Sequence, residues 1–181
     1  MYTFRKAEKS DVNNIVKLVE SAYRGEKSRT GWTTEADLLD GQRTDCDEVE
    51  SLIKKEHSEI ILCEQRGRLL GSANLKNKAN YVYLGMFAVS PKMQARGIGK
   101  SFLGYIEEFV RQEWNAESIE MAVISQRVEL IKWYEKQGYE KTGEQRAFPY
   151  GDTRFGIPKR DDLVLEVLKK RLLKAFTANE R

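Results

Sequence analysis

The sequence contains little cysteine and almost no histidine. Its 181 residues include two cysteines, Cys46 and Cys63, and a single histidine. The cysteines lie far apart and neither belongs to a Cys-x-x-Cys pair, so these residues cannot build a standard zinc site. Thiols in this number and spacing are typical of a reducing compartment. We therefore expect a cytoplasmic protein that binds no metal ion.

Long apolar runs are also missing, and neither sign of charge dominates. No run approaches the ~20 apolar residues of a membrane span, and the segment Met1–Lys6 lacks the apolar region of a signal peptide. The net charge is +3, from 31 basic and 28 acidic residues. This balance does not favour nucleic acid as a partner, although it tolerates an anionic ligand. We expect neither a membrane nor a nucleic-acid partner.

Length and composition predict a single domain. A chain of 181 residues, 40% of them hydrophobic, can bury one sizeable core. No internal repeat, low-complexity segment or linker divides the chain, so we predict one domain over residues 1–181. The sequence leaves a monomer and a homodimer equally open.

Hydrophobic periodicity predicts helices and strands along the whole chain. Two hairpins in succession predict an antiparallel meander, and the strand–helix–strand that follows predicts a parallel crossover. The segment after Leu163 is either a strand or the start of a helix to Phe176, and the tail from Thr177 is expected to fray. The predicted helices cover residues 10–23, 32–39, 49–55, 99–114 and 128–137, the strands cover 2–5, 60–64, 69–76, 81–89, 118–124 and 139–143, and long loops cover 25–31 and 147–161.

The most informative stretch is a strand, a loop with two glycines and a helix in direct succession. The strand ends at Val89, because Pro91 has no N–H group to give a ladder. The N–H groups of a helix's first turn have no partners within the helix, and the helix dipole favours negative charge there. Gly97 and Gly99 lack Cβ atoms, so an anion could approach the backbone closely. The stretch predicts a pyrophosphate site.

Two segments resemble signatures of the GNAT superfamily of N-acetyltransferases. Residues 94–99 read Gln-Ala-Arg-Gly-Ile-Gly, which matches the family's pyrophosphate loop Gln/Arg-x-x-Gly-x-Gly/Ala, and residues 87–91 match the hydrophobic-x-Val-x-Pro run before it. Residues 133–139 read Trp-Tyr-Glu-Lys-Gln-Gly-Tyr, similar to the family's later aromatic-Tyr-Glu-Lys-x-Gly-aromatic run. The order of elements is similar along nearly the whole chain. The resemblance implies an α/β (α+β type) fold with a central mixed, mostly antiparallel sheet of about seven strands flanked by helices.

The resemblance also implies an activity and roles for residues. The co-substrate would be acetyl-CoA, and its acetyl group would pass to a primary amine by direct attack in a ternary complex. The main chain of Phe87 and Val89 would bind the pantetheine arm. Tyr134 would be the general acid that limits charge on the departing thiolate, which suits the reference pKa values of a phenol and a thiol. The implied cofactor contacts are Phe87, Ala88, Val89, Gln94, Ala95, Arg96, Gly97, Ile98, Gly99, Lys100 and Arg127.

The sequence departs from the family pattern at two places. Many members carry Asn where this chain has Arg127, and many carry a glutamate or histidine base on the central strand, where this chain has none. A water held by Tyr83, the carboxylate of Glu35 and an amine that arrives partly deprotonated are the alternatives for the base. We expect Trp32, Glu35 and Tyr83 to contact the acceptor.

The acceptor itself is open. A peptide N-terminus, a protein lysine, an amino acid, a polyamine and an amino-sugar drug all fit the sequence. The loop over residues 148–158 is either packed down or a lid on the site, since its length suggests function. The alternative to an enzyme is a non-catalytic module that senses acyl-CoA, against which the presence of Tyr134 argues.

Overall fold

A computed structural model describes residues 1–172 and shows a seven-stranded sheet with helices on both faces. A second sheet has two short strands. The strands are β1 (Thr3–Lys6), β2 (Leu39–Asp40), β3 (Ser58–Gln65), β4 (Arg68–Asn77), β5 (Val82–Val89), β6 (Ser118–Ile124), β7 (Glu140–Ala147), β8 (Ile157–Pro158) and β9 (Val164–Arg171), and the helices are α1 (Val12–Tyr23), α2 (Gly25–Ser28), α3 (Cys46–Lys54), α4 (Ile98–Glu113) and α5 (Val128–Lys136).

The large sheet has the strand order β1-β3-β4-β5-β6-β9-β7. Strands β5 and β6 pair in parallel, as the predicted crossover requires, and the other neighbours in this sheet pair antiparallel. The predicted fold class is confirmed, including the number of strands.

Two hydrophobic clusters lie on opposite faces of the sheet. The alternation along β3 shows this directly, since successive side chains of a strand point to opposite faces. Ile61 and Cys63 pack with α4 and α5, whereas Ile60 and Leu62 pack with α1 and α3. Cys63 is fully buried, and desolvation raises the pKa of its thiol to about 11. It is a core residue.

The helix predicted over residues 32–39 is wrong. This segment forms turns that lead into β2, and its helical bonding is limited to the N–H groups of Leu38 and Leu39, both of which donate to the Glu35 carbonyl. Tertiary contacts hold it instead, because side chains from elsewhere in the chain bond the backbone of Trp32 and Thr33. In contrast, the predicted loop at 25–31 contains the one-turn helix α2.

One further helix boundary differs from the sequence prediction, and one open alternative is resolved. Helix α3 begins at Cys46 rather than near Val49, because the Asp45 side chain caps it by accepting the Glu48 N–H at 2.8 Å. The segment after Leu163 is strand β9, which lies between β6 and β7 and pairs with both. The rest of the alternative helix to Phe176, and the tail from Thr177, lie outside the described residues.

Candidate functional site

The sheet opens at its centre. Strands β5 and β6 pair at Val82 with Ile119 and at Tyr83 with Glu120, and the pairing does not continue beyond these positions. On its other edge β5 stays paired with β4 as far as Val89, across a bulge where Met86 has a φ of 47°. From Leu84 onward one edge of β5 therefore has no strand partner within residues 1–172. An extended ligand arm can lie along such an edge.

At the end of β5 the chain forms an open turn before α4. Gly97 is the N-cap residue of α4 with a φ of 78°, and a Cβ atom there would meet nothing within 4 Å. Ala95 also has a positive φ, of 60°. The side chains of Arg96 and Lys100 are exposed and form no ion pair within the described part of the chain. Backbone N–H groups and two cations thus surround an open space at a helix N-terminus, which is the arrangement that binds phosphate groups.

Gln94 has a bracing role that the sequence did not reveal. Its Oε1 accepts the Trp32 N–H at 2.9 Å, and its Nε2 donates to Thr33 Oγ1 at 2.8 Å and to the Val89 carbonyl at 3.1 Å. A Cβ atom on Gly31 would lie 2.6 Å from Gln94 Oε1, so a glycine is needed for this close approach. The Gln94 side chain therefore fixes the segment before Glu35 to the end of β5.

Aromatic rings form the wall opposite this turn. Trp133 lies between Trp32 and Phe87, with ring centroids 6.2 and 6.3 Å away respectively. A Cβ atom on Gly99 would lie 3.3 Å from the Trp133 ring, so Gly99 serves the packing of α4 against α5. We call this space the loop cleft; its lining includes Tyr23, Trp32, Thr33, Phe87, Val89, Gln94, Ala95, Gly97, Gly99, Lys100, Arg127, Leu130, Trp133 and Tyr134.

A second space lies beside the point where β5 and β6 separate. We call it the inner pocket; its lining includes Tyr23, Arg24, Glu35, Leu39, Arg43, Tyr83, Phe87, Arg127, Leu130, Tyr134, Phe148, Pro149 and Phe155. The two spaces share Tyr23, Phe87, Arg127, Leu130 and Tyr134. These shared residues mark where a ligand in one space would meet a ligand in the other.

Tyr134 lies at this junction with its hydroxyl uncommitted. The residue is 4% exposed, and its hydroxyl makes no hydrogen bond with any of residues 1–172. Desolvation, followed by the neighbouring Tyr23 hydroxyl, raises the pKa of Tyr134 well above its usual value. The phenol is therefore protonated at neutral pH, and it can donate a hydrogen bond to a ligand atom.

Tyr23, by contrast, has its hydroxyl committed. Its Oη donates to the Phe87 carbonyl at 2.8 Å, which ties the end of α1 to the open edge of β5. The guanidinium carbons of Arg43 and Arg127 each lie 5.6 Å from the centroid of its ring. Sequence reasoning took Tyr23 only as the last residue of a helix, and nothing in its local pattern signals this contact.

Glu35 is buried between two arginines. The side chains of Arg24, Glu35 and Arg127 are 5%, 8% and 9% exposed. Arg24 Nη1 donates to one carboxylate oxygen of Glu35, and Arg127 Nη1 donates to the other at 2.7 Å. Burial by itself raises the pKa of the Glu35 carboxyl, but the charges of Arg127 and Arg24 outweigh burial and hold this pKa below its usual value. Glu35 is consequently a carboxylate with little tendency to accept a proton.

The loop over residues 148–158 covers the inner pocket. Strand β8 in this loop pairs with β2, and Arg24 Nη2 donates to the Phe155 carbonyl at 3.2 Å. Just beyond the loop, Lys159 Nζ donates to the Ala36 carbonyl at 2.7 Å. The loop is thus packed onto the segment around Glu35, and Phe148 and Phe155 line the pocket beneath it.

The structure brings most of the predicted site residues together. Among the acceptor candidates, Trp32 lines the loop cleft, whereas Glu35 and Tyr83 line the inner pocket. The cofactor candidates that line the loop cleft are Phe87, Val89, Gln94, Ala95, Gly97, Gly99, Lys100 and Arg127. Ala88 and Ile98 are buried in the two hydrophobic clusters, and Arg96 is exposed beside the turn. A role for these three in binding a cofactor rests on their main chain or, for Arg96, on its charge.

The described residues contain neither a metal-binding cluster nor a membrane-spanning helix. Residues 1–172 contain no group of three or more His, Cys, Asp or Glu side chains placed to hold a metal ion. Within the same range, no helix combines the length and the apolar character needed to cross a membrane.

Comparisons with known proteins agree with this architecture. Solved structures with a similar fold include the ribosomal-protein-S18-alanine N-acetyltransferase from Escherichia coli (15% identity, TM-score 0.71, all of both chains covered) and an N-acetyltransferase from Staphylococcus aureus Mu50 (17%, 0.70, 95% of this chain and 98% of that one). A spermidine N-acetyltransferase from Vibrio cholerae, in complex with CoA and spermine, is 16% identical with a TM-score of 0.69, over 94% of this chain and 95% of that one. No curated protein sequence matches the chain.

At these identities the structures establish the fold alone. The family follows from the sequence, since the model of the acetyltransferase (GNAT) domain matches residues 34–149, more than half of the chain. The chain belongs to the GNAT superfamily of N-acetyltransferases.

Proposed function

We propose that the protein transfers the acetyl group of acetyl-CoA to a primary amine, by direct attack of the amine on the thioester in a ternary complex. The observation that carries the proposal is the uncommitted Tyr134 hydroxyl at the junction of the loop cleft and the inner pocket. A reaction between two bound molecules needs a proton donor at the place where they meet.

The loop cleft is the proposed site of acetyl-CoA. The diphosphate would bind the N–H groups between Gln94 and Lys100, where Gly97 leaves open space and the helix dipole favours an anion. The pantetheine arm would extend along the free edge of β5. The carbonyls of Phe87 and Val89 already accept bonds from Tyr23 and Gln94, so the arm would share these carbonyls or use neighbouring groups of the strand.

The inner pocket is the proposed site of the acceptor. The amine nitrogen would form a bond to the thioester carbon as the carbon–sulfur bond breaks, and backbone N–H groups of β5 would polarise the carbonyl. The enzyme's main contribution would be to position the two substrates and exclude water. Two proteins of similar fold are named for their amine acceptors, S18-alanine in one and spermidine in the other. Their names support an amine as the acceptor.

The departing sulfur would receive its proton at Tyr134. A phenol whose pKa is raised is a weaker acid than a thiol. The hydrogen bond that Tyr134 donates to the thiolate would therefore contribute more than full proton transfer. The sulfur leaves as CoA thiol, Tyr134 regains from solvent the proton it gives, and the proton that the amine loses passes to solvent, so that one proton is taken up for each one released. Glu35 is a poor base because its pKa is lowered, so the proton leaves through a water beside Tyr83 or before the amine binds.

An acceptor panel tests this proposal. Purified protein is mixed with acetyl-CoA and amines of several classes, and both free thiol and acetylated amine are measured. We expect the two products to appear in equal amounts for at least one amine. Tight CoA binding with no turnover of any amine would instead favour a module that senses acyl-CoA.

A further inference from the structure

We propose that the acceptor is a small primary amine that carries an anionic group, and that Arg43 binds this group in the inner pocket; the inference rests on the function proposed above. The reason is an excess of positive charge. Three arginines, Arg24, Arg43 and Arg127, line the pocket with a single carboxylate, that of Glu35.

Glu35 cannot neutralise this charge. Each of its oxygens already accepts from one arginine, Arg24 or Arg127, so the three side chains together carry one net positive charge in a buried setting. The second Nη atoms of both arginines donate to backbone carbonyls, which bring no negative charge. Buried charge without a counter-charge is unfavourable, and an anionic ligand would relieve it.

Arg43 adds a second positive charge, which an aromatic ring holds rather than a carboxylate. Its side chain is half-buried, lies over the Tyr23 ring, and forms no ion pair with any described carboxylate. Its backbone N–H, rather than its guanidinium, is the group that bonds Glu20, at 2.6 Å. A planar guanidinium held by an aromatic face at the wall of a pocket is suited to a carboxylate or a phosphate.

One buried donor in the pocket wall also lacks an acceptor. Arg24 Nε is buried and has no hydrogen-bond partner among the described residues. Such orphaned donors are rare in folded proteins and call for an explanation such as a missing ligand or water.

The pocket also has room for a small acceptor. The volume of the inner pocket is about 140 Å³, and three residues of the loop over residues 148–158, which is tied to β2, line it. Arg24 and Arg43 line the inner pocket and not the loop cleft, so their charge is directed at the acceptor rather than at the phosphates of CoA.

Matched amine pairs test the inference. An amino acid is compared with its carboxamide, an aminoalkyl phosphate with the corresponding amino alcohol, and a polyamine is added as a cationic extreme. Since charge-assisted contacts are about twice as strong as neutral ones, we expect kcat/KM to be roughly tenfold higher for the anionic member of at least one pair. The carboxylate and phosphate pairs separate the two anion types. Equal or better use of the neutral amines or the polyamine would overturn the inference and leave the proposed function intact.

Arg43→Gln then tests the assigned residue. We expect it to lower kcat/KM for the anionic member of a pair far more than for the neutral member, and so to remove most of the preference. Arg68→Gln is the matched control, since Arg68 is an exposed arginine at the start of β4, away from both spaces. An anionic preference that persists in full in Arg43→Gln would refute the role of Arg43.

A binding measurement covers the case in which no amine reacts. The protein with CoA bound is titrated calorimetrically with N-acetylated forms of the same pairs. Binding of an anionic form that depends on Arg43 would support the inference even though the proposed catalysis had failed. If no anionic form bound, or if Arg43→Gln made no difference to binding, the inference would be refuted.

Discussion

The loop cleft and the inner pocket lie side by side but are built in different ways. Half of the residues that line the loop cleft come from one continuous stretch, the end of β5, the turn and the start of α4, and the turn offers backbone N–H groups. The inner pocket collects charged side chains from two separate parts of the chain, Arg24, Glu35 and Arg43 from one and Arg127 from the other. Under the proposed function, the site of acetyl-CoA is therefore built around a local motif, whereas side chains from separate elements form the site of the acceptor.

The largest effect is expected where the inner pocket depends on one buried charge. Glu35→Gln leaves Arg24 and Arg127 without their counter-charge, and breaking a buried pair from one side typically costs 3–5 kcal/mol. We expect the free energy of unfolding in urea to fall by about 3 kcal/mol. Glu26→Gln is the control, because Glu26 pairs with Arg29 at 3.0 Å on the surface with a side chain 89% exposed, and such pairs contribute little.

Acid should produce the same loss in the unchanged protein. The pKa of Glu35 is lower in the folded state than in the unfolded state, so the unfolded state binds more protons between the two values. The stabilisation by Glu35 is therefore complete above the unfolded pKa of about 4.3 and is lost as the pH falls through the folded value. Unfolding curves from pH 6 downward should fall less steeply for Glu35→Gln, and parallel curves would contradict the buried pairing.

In the loop cleft, the largest loss of CoA affinity is expected from a change at Gly97. Gly97→Glu places a carboxylate in the open space where the diphosphate would bind, and at a φ of 78° that disfavours any side chain. We expect the affinity for CoA to fall roughly a hundredfold, as measured by calorimetry.

Gly67→Glu is a close control for this change. Gly67 also has a positive φ, of 71°, with nothing within 4 Å of an added Cβ, but it lies in the turn between β3 and β4. The two variants carry similar backbone strain and the same charge. A comparable loss of CoA affinity in both would show that strain, rather than a phosphate site at the turn, is responsible.

The junction between the two spaces is tested by Tyr134→Phe. This change removes the hydroxyl and keeps the ring that packs against Trp133 and Tyr139. We expect kcat to fall by about tenfold to a hundredfold, since general acids typically contribute at least that much, while CoA affinity changes little. In Tyr139→Phe, which removes a buried hydroxyl outside both spaces, kcat should be unchanged. If kcat were unaltered in Tyr134→Phe, in an assay whose rate is limited by the chemical step, the Tyr134 hydroxyl would have no part in the mechanism.

The smallest effect concerns the side chain that links the two regions. Gln94→Ala removes the three hydrogen bonds that hold Trp32 and Thr33 to the end of β5. At about 1 kcal/mol for each net hydrogen bond, partly offset by water, we expect a loss of about 2 kcal/mol in unfolding free energy. Gln112→Ala is the matched change on the exposed side of α4, where Gln112 bonds Glu108, and it should cost under about 0.5 kcal/mol. If both variants lost the same unfolding free energy, the Gln94 side chain would not stabilise the segment before Glu35.

The sequence by itself determined the features that depend on neighbouring residues. The proline that follows Val89 by two positions, the glycines of the turn and the periodicity of α4 are local signals, and they located the loop cleft. Tyr134 was identified through the family resemblance. The same kind of signal predicted six strands and their mixed pairing, because a strand of period two is recognisable wherever it lies in the sheet, whereas the number of about seven came from the family resemblance. The family resemblance added roles to these positions.

The residues that form the inner pocket, and the conformation of two elements, became known only from the tertiary structure. Residues 32–39 have a helical pattern, yet Arg127, 92 positions after Glu35, and Gln94 take over contacts that a helix would otherwise make itself. Strand β9 was indistinguishable from a helix until β6 and β7 gave it partners on both edges. Charge pairs and strand pairs of this kind connect distant positions, so their energies do not appear in any local pattern. For the same reason the positive charge that selects the proposed acceptor became visible only when the arginines were brought to one pocket.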